Sequence, residues 1–171
     1  LQLFSRAAPI PSALVIAVLA FATIAGAWGY QLAGYLPCDL CLEQRYAYYA
    51  GVPLALLIAV AAAARAPRAA LTVGFALLTA IFVYNAGLAI YHSGVEAHLW
   101  QGPTACTGAA LPASGGDLLQ QLQTVKVVRC DDVGLRVFGL TLANYNIAIS
   151  ALLALLAAAS AVRRGDGRAA L

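Results

Sequence analysis

The stretch Pro37-Cys38-Asp39-Leu40-Cys41-Leu42-Glu43-Gln44-Arg45 decides how the chain reads. It is the densest cluster of reactive side chains, and it lies between two long apolar runs. Read as the first turns of a helix, it sets Cys38, Cys41 and Arg45 on one face, three and four positions apart. Thiols near a helix N-terminus meet the positive end of the helix dipole, and a guanidinium one turn further on favours the thiolate. The stretch therefore predicts a redox dithiol at a membrane edge, with a fixed positive charge beside its second sulfur.

The flanking runs set the fold class. Hydrophobic residues make up 63% of the 171 and charged residues 10%, against roughly 45–50% and 25% in a soluble domain. This predicts an all-α membrane protein, a four-transmembrane-helix bundle forming one domain over residues 1–171. The spans are expected at about 10–33, 46–64, 69–91 and 138–162, with outer loops at about 34–45 and 92–137. Trp28, Tyr30 and Tyr35 cluster near the end of the first run, as aromatics do at a bilayer interface. Pro53 falls inside the second run, where neighbouring helices tolerate a kink. In the second outer loop, residues 117–122 (DLLQQL) predict a short amphipathic surface helix. No cleavable signal is expected, because the first apolar run is long and feeds directly into further spans.

Charge sets the orientation. The net charge of +3 is small, and no basic stripe suggests a nucleic-acid partner. Arg6, Arg65, Arg68, Arg163, Arg164 and Arg168 fall on one side, opposed only by Asp166. Arg45, Lys126, Arg129 and Arg136 fall on the other, with the remaining acids. The positive-inside rule then puts both termini and the 65–68 turn in the cytoplasm, and both cysteine-bearing segments outside.

The four cysteines, Cys38, Cys41, Cys106 and Cys130, all fall on that outer side and none inside a span. An oxidising outer compartment lets disulfides persist. Cys38 and Cys41 close too small a loop to staple a fold, and Cys-x-x-Cys is the usual geometry of an exchangeable disulfide. Cys106 and Cys130 close a longer loop that is either structural or redox-active. Gly102, Pro103, Gly108, Pro112, Gly115 and Gly116 predict an irregular, exposed segment around Cys106, suited to attack by a partner thiolate. Two dithiol pairs on one membrane face suggest an electron relay, and net disulfide formation needs a terminal oxidant. The chain has no dinucleotide fingerprint and no haem-attachment Cys-x-x-Cys-His, which leaves a lipid-soluble quinone as the remaining common acceptor. Arg45 is placed to hydrogen-bond a quinone oxygen and to stabilise a Cys41 thiolate.

Cys38-Asp39-Leu40-Cys41 followed by Gln44-Arg45, four spans, and Cys106 and Cys130 in one outer loop resemble the bacterial disulfide bond formation protein B (DsbB) family. Tyr91-His92-Ser93-Gly94-Val95-Glu96, with Trp100, Gly102 and Pro103 after it, and Gly139-Leu140 are similar to one branch of it. The resemblance implies an enzyme of the bacterial inner membrane, a protein-disulfide:quinone oxidoreductase. It also implies a Cys106–Cys130 disulfide facing a periplasmic thioredoxin-like (DsbA-like) oxidase, with Cys106 forming the mixed disulfide. Cys130 would then attack Cys38, leaving Cys41 as the thiolate that engages ubiquinone or menaquinone from the membrane pool, beside Arg45.

Blander readings stand beside these. Cys38 and Cys41 can be half of a metal site, but zinc wants a second compact ligand pair, and no metal is expected. Arg45 can be a snorkelling interfacial arginine. His92, Glu96 and His98 read as interfacial hydrogen-bonders, and His92, at the mouth of the third span, is also placed to help proton transfer at a quinone. Asn85, Asn144 and Asn146 read as helix–helix hydrogen-bonders, worth about 0.6 kcal/mol each. A vitamin K epoxide reductase-like protein is disfavoured, because its Cys-x-x-Cys follows the loop cysteines and here it precedes them. The non-enzymatic rival is a membrane scaffold with structural bridges.

Overall fold

The structure is a computed structural model and describes residues 9–103, 129–131 and 135–165. Four helices dominate it: α1 (Pro9–Leu32), α2 (Asp39–Ala63), α3 (Arg68–Glu96) and α4 (Leu142–Gly165). At 1.5 Å rise per residue each exceeds the ~30 Å hydrocarbon thickness of a bilayer. All four are long and apolar enough to cross a membrane. The architecture is the expected four-helix bundle. Cys106 and the surface helix expected at 117–122 lie outside the described residues.

The bundle is held by small residues that let the helices approach and by a few large ones that fill the gaps. Ala13, Ile16, Ala20, Ala55, Ala157, Phe75, Leu78, Phe82 and Leu153 are buried in one core. Large apolar side chains such as Val18, Leu57, Val60, Tyr84 and Leu155 face outward. Outward greasy faces around a core of small residues fit lipid, not water, as the solvent.

The connections are short and chemically specified. Gly34, at φ +97, ends α1, and Tyr35 N donates to Tyr30 O at 3.1 Å. That closure turns the chain straight into Cys38, the residue before α2. Pro53 sits inside α2 without ending it. At the other end Ala66 N donates to Ala61 O at 2.9 Å, and Pro67 precedes α3.

Three boundaries differ from the sequence reading. The second helix begins at Asp39, inside the outer loop expected at about 34–45. The third helix continues past Tyr91 to Glu96, which brings His92 and Glu96 onto one helical face. The fourth begins at Leu142, not Phe138. The apolar residues before it form a hairpin, Arg136–Val137 paired antiparallel with Leu140–Thr141. Its two central residues, Phe138 (φ 50) and Gly139 (φ 82), both have positive φ, as a type I′ turn requires. A helix cannot run through them. Thr141 Oγ1 accepts from Asn144 N at 3.2 Å and so caps α4.

The end of α3 is held by Trp100, which stacks on Tyr91 with ring planes 7° apart and donates from Nε1 to Tyr91 O at 2.8 Å. Gly94 makes room for it, since a Cβ there would lie 2.0 Å from the indole. Gly94→Val should displace Trp100 and lower stability by about 1–3 kcal/mol. In a Trp28→Phe background, the remaining tryptophan's fluorescence and the thermal midpoint in detergent should both shift; an unchanged emission maximum and midpoint would show the packing to be dispensable.

Candidate active site

The site lies where the start of α2 meets the end of α3 and the start of α4. Cys38 occupies the N-cap of α2 with extended backbone (φ −78, ψ 172), and its sulfur accepts from Cys41 N at 3.3 Å. A thiol is thus the helix cap, so its sulfur sits at the positive end of the dipole. Cys38 and Cys41 are free cysteines, and Cys38 Sγ donates to Cys41 Sγ across 2.9 Å. Cys38 is buried and Cys41 half-buried.

His92 Nε2 lies 3.6 Å from Cys38 Sγ and 3.8 Å from Glu96 Oε1. His92 Nδ1 pairs with Gln44 Nε2 at 2.9 Å. Glu96 Oε2 accepts from Thr141 Oγ1 at 2.6 Å, tying the end of α3 to the hairpin before α4. The ligand atoms of Cys38, Cys41 and His92 lie within 4.8 Å of one another.

Arg45 is buried and directed toward α1: Nη1 donates to Gln31 Oε1 at 2.6 Å and Nη2 to Ala27 O at 3.4 Å. Both acceptors are neutral. Among the described residues no carboxylate pairs with it. The Cys41 sulfur lies within the electrostatic reach of both Arg45 and Glu96.

Cys130 is disulfide-bonded and buried. It packs in one apolar cluster with Cys38, Leu40 and Val95, against the half-buried Cys41, Leu88 and Tyr91. Beside it opens a cleft of about 510 Å³, lined by Trp100, Gln101, Arg129 and Asp131 among others. Arg129 binds Asp131 through two hydrogen bonds, of 2.9 and 2.6 Å, and holds that carboxyl below its usual range.

The structure thus brings together Cys38, Cys41, Cys130 and His92, with Arg45 on the α1 side; Cys106 lies outside the described residues. Three contributors went unread in the sequence. Gln31, in the last turn of α1, is the one strongly polar residue near the end of an apolar run, and that was its signal. Tyr48 and Ser150 read as ordinary span residues. Below the dithiol they join Asn85 and Asn146 in a polar layer.

These features define a membrane-spanning four-helix protein with a pair of neighbouring thiols, one of them buried, at one end of the bundle. The chain belongs to the DsbB family: residues 10–160 match the family described as disulfide bond formation protein DsbB. It is therefore a multi-pass membrane protein of disulfide bond formation, with the disulfide-forming oxidoreductase role of that family. Comparison with curated proteins and with solved structures gave no significant match.

The hydrogen bond to Cys41, and then burial, push the Cys38 thiol well above its ordinary value of 9.0, while His92 pulls it the other way. The folded protein keeps this proton longer than the unfolded chain would. Its contribution to stability is full below pH 9.0 and is lost as pH rises above it. Alkylation of reduced protein at pH 8 should modify Cys38 at least about tenfold more slowly than an unperturbed thiol. Cys41→Ala removes the largest cause, so its Cys38 alkylation profile should move to lower pH; mass spectrometry of the labelled peptides reads both, and coincident profiles would refute the assignment.

Proposed function

We propose that the protein is a protein-disulfide:quinone oxidoreductase. It reoxidises a thioredoxin-like (DsbA-like) dithiol protein outside the membrane and passes the electrons to ubiquinone or menaquinone. The observation that carries this reading is the shared burial of Cys130 and Cys38 in one cluster, with Cys41 at its edge and the unpaired Arg45 cation near Cys41.

The outer exchange runs through Cys106 and Cys130. A partner thiolate attacks Cys106 in a Cys106–Cys130 disulfide, releasing Cys130 as a thiolate. Cys130 then attacks Cys38 in an oxidised Cys38–Cys41 bridge, because it packs in the same cluster as Cys38. The bond to Cys41 breaks, and the electron pair stays on the Cys41 sulfur. The second partner thiolate attacks the partner sulfur bonded to Cys106, releasing the partner as a disulfide and Cys106 as a thiolate. Cys106 then attacks Cys130, which reforms the Cys106–Cys130 bridge and returns Cys38, protonated, as a thiol. The sum is one partner dithiol oxidised and one Cys38/Cys41 dithiol formed.

Arg45 suits the next step. A buried guanidinium held only by neutral oxygens is costly unless an anion or a strong acceptor joins it. Only two of its five N–H donors are used by the described partners. The remaining donors, the Cys41 sulfur nearby and the ring of His92 suit the polar head of a quinone. A quinone held there would supply the acceptor for the two electrons and two protons given up as the Cys38–Cys41 bridge reforms. Metal binding has no part in this reading.

The arginine bias supports an inner-membrane orientation with both termini cytoplasmic and the cysteine end periplasmic. Arg65 and Arg68 stand at the end of the bundle opposite Cys38 and Glu96.

Purified protein in detergent with a short-chain ubiquinone should oxidise a reduced thioredoxin-like protein catalytically. Cys41→Ser should abolish turnover, and Arg45→Ala should raise the apparent KM for quinone about tenfold or more, the loss expected for a charge-assisted contact. Full turnover in Cys41→Ser would falsify the mechanism, and an unaltered KM in Arg45→Ala would remove Arg45 from the quinone site.

A further inference from the structure

A line of hydrogen bonds runs from the polar layer between α2, α3 and α4 up to the Cys38 sulfur. It begins at Asn146 Oδ1, which is approached by the Tyr48 hydroxyl, by Ser150 Oγ at 3.3 Å and by Asn85 Nδ2 at 3.5 Å. With its oxygen so occupied, Asn146 turns its Nδ2 to Gln44 Oε1. Gln44, its oxygen taken, turns Nε2 to His92 Nδ1 at 2.9 Å. An amide N–H can pair only with the lone-pair nitrogen of a neutral imidazole, so the ring hydrogen must sit on Nε2. Nε2 faces two acceptors, Cys38 Sγ at 3.6 Å and Glu96 Oε1 at 3.8 Å.

Both ends of the line favour this polarity over its reverse. At the top, an imidazole nitrogen between a sulfur and a carboxylate oxygen is best served by a hydrogen. At the bottom, the one buried unpartnered atom is Asn85 Oδ1 among the described residues. Reversal would turn Asn85 over and orphan an N–H instead, and a buried unpaired donor is the rarer and costlier defect.

We infer that Gln44 and Asn146 are positioning residues that lock His92 in its Nε2–H tautomer and so hold an N–H on the Cys38 sulfur. The inference rests on the thiol-exchange reading above. Cys38 bears negative charge whenever it attacks or is released from a disulfide, and a fixed donor lowers the cost of that charge in a site short of water. Gln44 and Asn146 touch no reacting atom. They act through the ring, as outer partners of a metal-binding histidine act on its ligand nitrogen.

The chain has two histidines, His92 and His98, so ¹⁵N-histidine labelling gives an assignable spectrum, with His98→Gln identifying the second set of signals. Reduced protein in detergent at pH 8 is the sample, and neither partner nor quinone is needed; failure here is therefore separable from failure of the catalytic cycle. The wild type should show the Nε2–H tautomer. Gln44→Leu and Asn146→Leu should each yield a mixture of tautomers. Ser160→Ala, on α4 outside the polar layer, should keep the wild-type tautomer. In a Cys41→Ala background, Gln44→Leu should also slow Cys38 alkylation about tenfold. An Nδ1–H tautomer in the wild type, or an unchanged tautomer in both Gln44→Leu and Asn146→Leu, would each overturn the inference.

Discussion

A bilayer offers no water to a polar group, so each polar side chain inside the bundle must find its partner in the protein. The backbone meets that demand by being helical. The side chains meet it by pairing across helices, and those pairs build the site. Arg45 of α2 is tied to Gln31 of α1, Gln44 of α2 to His92 of α3 and Asn146 of α4, and Ser93 of α3 to Asn144 of α4. Each pairing fixes one helix relative to another, so the demand that orients the bundle also aims the side chains around the sulfurs.

That demand sorts the reactive groups by depth. Cys38 caps a helix and is closed in by Leu40, Val95 and Cys130. Cys41, one turn on, is less deeply buried. In the proposed cycle, Cys38 exchanges with a neighbouring sulfur inside the protein and Cys41 meets the acceptor arriving from outside the cluster. Arg45 is buried on the α1 side with neutral partners, a poised positive charge without a carboxylate to quench it. A well-paired arginine would be more stable and less useful, since its field would already be spent.

Much of this was legible in the residues. Four charge-poor runs predicted four spanning helices, because a stretch of that length and polarity has few other stable states near lipid. The Cys-x-x-Cys-x-x-x-Arg spacing placed both sulfurs and the guanidinium on one helical face, since i, i+3 and i+4 positions share a side. The start of α4 misled: the residues around Phe138 are apolar enough for a span, but paired positive φ angles at Phe138 and Gly139 turn the chain back first. The end of α3 was set too early, because His92 and Glu96 look like loop residues until Gln44, Thr141 and Cys38 are seen to satisfy them.

The sequence alone determined the class of the molecule and the number of its spans, both of which follow from local composition and spacing. Only the tertiary structure decided that Cys130 packs with Cys38, that Arg45 turns to Gln31, and that the spans' polar residues line up from Asn146 to His92. Those contacts join positions 14 to 102 residues apart. No local rule reaches that far, because partners across helices are chosen by how the helices rotate and settle against one another.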